Sequence, residues 1–125
     1  AYVFGDGSVR PKNQENEGFK PVYEKIAGEV PGGFTLFAYD GIQVIYHMVE
    51  AQKGGKFDAN AAMNAAKGYR WNSPRGPLLI EPATRDITEN VYVRRIEKVN
   101  GKLRNVLVDT FPQIKDPWPE MGRPK

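Results

Sequence analysis

Apolar positions recur at helical spacing in the first half of the chain and at alternating or clustered spacing in the second. Phe19, Val22, Tyr23 and Ile26 fall at i, i+3, i+4 and i+7, the stripe of a short amphipathic helix. Pro21 fits such a helix only in its first turn, because a proline farther in removes a backbone donor. Gly28 and Pro31 end it. Beyond the breaker Pro31-Gly32-Gly33, the stripe Ala38, Ile42, Ile45, Val49 advances by +4, +3 and +4 and predicts a long helix over 34–52, closed by Gly54-Gly55. Asp58 is placed to cap a third, Ala-rich helix through 60–66, with Gly68 at its end. The pattern then changes to strands. Residues 76–82 read as a short strand fenced by prolines and 82–90 as a polar loop. Residues 91–99 and 102–108 flank Asn100-Gly101, the pair favoured in type I′ hairpin turns. That turn sets Val99 opposite Lys102 and Glu97 opposite Arg104, an opposite-charge cross-strand pair, with Val91, Val93, Val106 and Val108 on one face.

Both ends read as irregular. Residues 1–18 hold Gly5, Gly7, Pro11 and Gly18 around a polar run, a turn-rich lead-in expected to be partly disordered at its start. Residues 112–125 hold Pro112, Pro117 and Pro119 and are expected to be an extended Pro-rich tail, with Phe111, Ile114 and Trp118 laid along a surface. The body of the molecule is therefore expected over 19–111, as an α+β unit of three helices followed by a strand and a β-hairpin.

Composition agrees with one folded domain. The chain has 125 residues, 40% hydrophobic and 26% charged, which suits a single core and argues against wholesale disorder. Cysteine is absent, so disulfides, thiol catalysis and zinc sites built on Cys are excluded. No apolar run approaches the roughly 18 residues that span a bilayer, and the first five residues lack the blocks of a signal peptide, so the chain as given is expected to be soluble. A net charge of +3 is an ordinary solvated surface.

Enzyme signatures are missing from the sequence: it has no P-loop spacing, no His-Glu-x-x-His and no Gly-x-Ser-x-Gly. His47, the single histidine, has Gln43 and Ala51 at i−4 and i+4, which make no metal site, so it reads as a packed or solvated helix residue. A carboxylate pair such as Asp40 with Glu81 is the remaining catalytic option, and a weak one. No cofactor, metal or catalysis is expected. Arg94 and Arg95 beside Tyr92, with Lys98, Lys102 and Arg104, make a basic hairpin; an RNA-binding surface needs more aromatics there and no opposing Glu97.

Several short motifs carry a family resemblance. Phe34-Thr35-Leu36-Phe37-Ala38-Tyr39-Asp40-Gly41 opens the long helix. Pro74-Arg75-Gly76-Pro77-Leu78-Leu79-Ile80, Thr84-Arg85-Asp86, Asn90-Val91-Tyr92-Val93, Asn100-Gly101-Lys102 and Thr110-Phe111-Pro112 follow in order. In that order they resemble the C-terminal part of the substrate-binding proteins of branched-chain amino acid ABC transporters, the type I periplasmic binding protein fold (Leu/Ile/Val-binding family). The resemblance implies an α/β molecule of two lobes that close over an amino acid or similar small carboxylate, exported to the periplasm or cell envelope and docking on a transporter permease. It also implies that this chain is a fragment or a truncated relative carrying part of the site, prone in isolation to dimerise or exchange strands. The same resemblance puts Phe34 in the cleft against the ligand's apolar part, with Phe37 a weaker candidate and Tyr39 a source of a hydroxyl. Against this, Phe34 is equally a staple packing on the core at a helix start, and Asp40 a complement to the helix dipole. The competing function is a small stand-alone interaction module, a basic RNA-binding α+β domain using the hairpin.

Overall fold

In the computed structural model, which describes residues 13–117 together with 121 and 122, three helices precede a four-stranded antiparallel sheet. The helices are α1 (Gln14–Ala27), α2 (Gly33–Glu50) and α3 (Ala59–Ala66). The strands are β1 (Arg70–Ser73), β2 (Gly76–Ile80), β3 (Ile87–Val99) and β4 (Lys102–Ile114), hydrogen-bonded in the order β1-β2-β3-β4. The fold is α+β, as expected, with one strand more. β1 escapes periodicity because Arg70-Trp71-Asn72-Ser73 is short and mostly polar.

The first helix begins inside the segment expected as a lead-in. Asn13 explains why: its Oδ1 accepts the Asn16 amide at 2.7 Å, while its Nδ2 donates to the carbonyls of Ser73 and Pro74 at 3.2 and 3.3 Å. One side chain thus caps α1 and ties it to the β1–β2 turn. Pro21 consequently lies well inside the helix and not in its first turn, where it removes one internal bond from an element that buries none of its residues. Gly28, at φ 74°, closes α1. Phe19 then carries the packing, with its ring 4.8 Å from that of Tyr39 on α2.

The long helix forms as expected but turns a different face inward. Leu36 and Asp40 are its buried residues, whereas Ile42, Ile45 and Val49 of the apolar stripe are all exposed. His47 faces the sheet: its ring stacks on Tyr69 at 3.7 Å, and a ring nitrogen lies 3.1 Å from the Ala65 carbonyl. It is a packed histidine. In α3, Asp58 Oδ1 accepts the amides of Asn60 and Ala61, and the buried Ala62 and Ala66 let the helix sit close.

β2 is the core strand, with Leu78, Leu79 and Ile80 all buried. Its hairpin with β1 turns on Pro74-Arg75 and sets Trp71 opposite Leu78. β3 and β4 pair in the expected register at their turn, Val99 with Lys102 and Glu97 with Arg104, and Asn100 and Gly101 both take positive φ as a type I′ turn requires. Two details differ. The Glu97 carboxylate is taken by Arg95 on its own strand, through Nε at 2.8 Å, rather than by Arg104. Also, Val93 pairs with Asp109 while Arg94 pairs with Leu107, so a bulge leaves Val108 without a cross-strand partner and exposed.

The proline-rich tail is more regular than its composition implies. β4 runs through Pro112 to Ile114, because a second irregularity between Glu89 and Val91 places the proline where no ladder donor is needed. Gln113, at φ 49°, donates its amide to Asn90 Oδ1 and its Nε2 to the Pro77 carbonyl, fastening the strand end to the sheet. The expectation for Trp118 lies outside the described residues.

Gly76 is the most constrained turn position. Its φ is +112°, and a Cβ there would come 2.5 Å from the Tyr92 hydroxyl, which donates to the Arg75 carbonyl at 2.6 Å. Gly41, in the interior of α2, has nothing within 4 Å of where a Cβ would stand. Gly76→Ala is expected to destabilise the chain by roughly 2 to 4 kcal/mol, and Gly41→Ala to stabilise it by roughly 0.5 to 1 kcal/mol. Urea unfolding followed by circular dichroism checks both; equal midpoints for the two variants would contradict the constraint at Gly76.

Candidate functional site

The start of α2 carries the candidate residues. Gly32 caps this helix without a side-chain hydrogen bond, and Phe34, its second residue, is 88% exposed. That exposure rules out the packed staple. Phe37, one turn on, is 38% exposed and meets Phe34 edge to face, centroids 6.2 Å apart at 84°. This geometry is one that aromatic pairs favour. Tyr39 stands elsewhere: its ring packs against Phe19 of α1. The structure therefore brings Phe34 and Phe37 together and directs Tyr39 to the helix–helix contact.

Beneath the aromatic pair lies an ion network. Arg75, from the β1–β2 turn, donates Nε to Asp40 Oδ2 at 2.7 Å and pairs through Nη1 with Glu89 of β3. The Asp40 side chain is 6% exposed and that of Arg75 16%. The Trp71 indole N–H donates to Asp40 Oδ1 at 3.3 Å, and Tyr69 stacks between Trp71 and His47. The Arg75 guanidinium carbon lies 5.1 Å from the centroid of the Phe37 ring, a cation–π contact. Asp40 is thus more than a complement to the helix dipole, which fades beyond the first turn. Sequence reasoning missed Arg75, Glu89 and Trp71 as a unit, because each is unremarkable alone and the three come from separate elements.

A second concave feature lies on the opposite face of the sheet. It is an open groove of about 590 Å³ lined by Arg70, Leu79, Glu81, Thr88, Gln113 and Lys115, among others. Glu81 accepts the Thr88 hydroxyl at 2.7 Å and pairs with Lys115 at 3.5 Å. The Thr88 bond is the main reason that its carboxyl ionises below the ordinary value, assisted by Lys115 and opposed by burial. Asp40 and Glu81 accordingly serve separate ion pairs. Among the described residues no group of three or more His, Cys, Asp or Glu is placed to hold a metal ion, and no described helix is long and apolar enough to cross a membrane.

Comparison with known proteins bears on this arrangement. No family model matches the chain. Over 84 residues, 66% of its length, the chain is 49% identical to the Leu/Ile/Val-binding protein homolog 6 of Brucella abortus, and it spans only 21% of that protein's length. Among solved structures it is similar to a solute-binding protein of an ABC transporter from Rhodopseudomonas palustris BisB5 in complex with 3,4-dihydroxybenzoic acid. The identity is 40% and the TM-score 0.79, covering 86% of this chain and 29% of that one. A second solute-binding protein from R. palustris, in complex with 4-hydroxybenzoate, is 39% identical with a TM-score of 0.78, covering 90% and 30%.

Two outcomes test the electrostatics. Asp40→Asn is expected to lower stability by about 2 to 3 kcal/mol, and in a double-mutant cycle with Arg75→Met the two changes should couple by about 1 kcal/mol or more. Guanidinium unfolding checks this, and strict additivity would contradict a shared network. For Glu81 the folded carboxyl ionises below 4.5. Its contribution is therefore present above that value and is lost as pH falls through the lowered folded value. Glu81→Gln should flatten the acid side of the stability curve below pH 4.5 and leave the neutral side shallow. An unchanged acid slope would contradict this assignment.

Proposed function

We propose that this chain, a relative of the Leu/Ile/Val-binding type of ABC-transporter solute-binding proteins, supplies one wall of a cleft that closes over a small carboxylate. The observation that carries the reading is the exposed aromatic pair Phe34 and Phe37 at the start of α2, with Phe37 lying over the Arg75 of a buried ion network. An exposed Phe set edge to face against another has apolar area still to bury, and covering one ring fully is worth roughly 1.5 to 3 kcal/mol. Closure of a second lobe over a ligand provides that cover without covalent chemistry. Tyr39, packed on Phe19, belongs to the contact between α1 and α2 and not to this wall.

The preferred ligand class is an aromatic carboxylate. Two solved relatives at 39% and 40% identity hold hydroxylated benzoates, and a flat ring suits an edge-to-face aromatic wall. A branched-chain amino acid is the second reading, favoured by the name of the Brucella relative. Either solute implies export to the periplasm or cell envelope and delivery to a membrane permease. The RNA-binding alternative is weakened at its one aromatic: the half-buried Tyr92 donates its hydroxyl to the Arg75 carbonyl and has Arg94 against its ring.

A hybrid tests the reading, with this chain replacing its counterpart in the R. palustris protein that binds 4-hydroxybenzoate. Calorimetric titration should show saturable binding of 4-hydroxybenzoate, and Phe34→Ala should weaken it about tenfold, the equivalent of about 1.4 kcal/mol, with little change in thermal stability. Preference for leucine over 4-hydroxybenzoate would shift the reading to an amino acid. A folded hybrid that binds neither would overturn it.

A further inference from the structure

The ion network does more than hold the fold together. Arg75 has two carboxylate partners from different elements, Asp40 on α2 and Glu89 on β3, and these fix its guanidinium in both position and tilt. Its backbone is fixed as well, because the Tyr92 hydroxyl and the Asn13 side chain hold the carbonyls of Arg75 and its neighbour Pro74. The guanidinium so fixed has its central carbon 5.1 Å from the Phe37 centroid, and Phe37 and the exposed Phe34 meet edge to face. An unbroken series of contacts thus runs from β3 to the aromatic surface.

We propose that Arg75 is the positioning residue of the aromatic wall, holding Phe37 and through it Phe34 in one arrangement that selects a flat aromatic ring over a saturated one. The selection rests on the ligand reading given above. A wall that cannot repack presents its fixed quadrupoles to a planar ring and meets a puckered ring poorly, whereas a mobile wall adapts to both. Arginine suits the role and lysine does not, because only a planar fork can serve two carboxylates and an aromatic face together.

Two measurements test it. In the 125-residue chain without ligand, aromatic NMR should show distinct, shifted ring resonances for Phe37 and Phe34. Arg75→Lys, which keeps the charge, and Asp40→Asn, which keeps the arginine, should each collapse those shifts toward values for freely rotating rings. Unchanged ring resonances in both variants would overturn the proposal, whatever the ligand. In the hybrid, the ratio of affinities for 4-hydroxybenzoate and 4-hydroxycyclohexanecarboxylate should fall about tenfold on Arg75→Lys. A proportionate loss of both affinities would reduce Arg75 to a structural residue and overturn its part in selection. If the unsubstituted hybrid binds neither compound, the ligand reading and the selection fall together, and the NMR result still decides whether Arg75 positions the rings.

Discussion

The Asp40–Arg75–Glu89 network is the constraint on which the arrangement of the other parts depends. Its three charged side chains come from a helix, a two-residue turn and a strand, and none of them is freely solvated. Charges withdrawn from water are tolerated only with close partners in good geometry. The three elements must therefore meet in one way. Trp71 takes the other oxygen of Asp40, Tyr92 takes the Arg75 carbonyl, and Gly76 leaves the space that the Tyr92 hydroxyl occupies. Apolar packing alone would let α2 rotate or slide on the sheet; the ion pairs fix its rotation, and with it the side on which Phe34 and Phe37 emerge.

The apolar core is small beside this polar one. Among the described residues the buried hydrophobic side chains are Leu36, Ala62, Ala66, Leu78, Leu79 and Ile80, contributed by α2, α3 and β2. Elsewhere apolar surface is left over. Ile42, Ile45 and Val49 on α2, Ile26 on α1, and Ile96 and Leu103 near the hairpin turn are exposed. β2 pairs with only Ile87 and Thr88 of β3, so most of the long hairpin runs beyond the sheet that anchors its base. The chain spans about a fifth of the curated relative and under a third of the solved ones. Exposed apolar faces of this kind are surfaces on which further polypeptide can pack.

Features governed by neighbours in sequence were legible, and features governed by distant partners were not. Asn100-Gly101 specifies its turn locally, so the hairpin register followed, and Asp58 and Gly28 marked helix ends for the same reason. The start of α1 was hidden because Asn13 caps the helix while bonding to a turn some sixty residues away. The bulge at Val108 and the strand through Pro112 depend on how β4 fits β3, not on either segment alone. The α2 stripe is the most instructive difference. Hydrophobic periodicity identifies a face that favours burial, yet the face buried here centres on Leu36 and Asp40, because an aspartate with an arginine partner outweighs a stripe with nothing to cover it.

The same logic separates the two readings of Phe34. A staple residue owes its place to the core and would be buried by its own helix and the chain before it. Phe34 is instead the most exposed of the described large aromatics, and it reaches the ionic network only through Phe37, whose ring lies over Arg75. Within the described residues the Phe34 ring meets Phe37 edge to face. The network below contributes rigidity, the rings above contribute apolar area, and neither feature alone would distinguish a binding wall from an ordinary patch of surface. Found together at a helix start, they make the arrangement of the two rings a property of the fold, and under the proposed function its ordering cost is met before a ligand arrives.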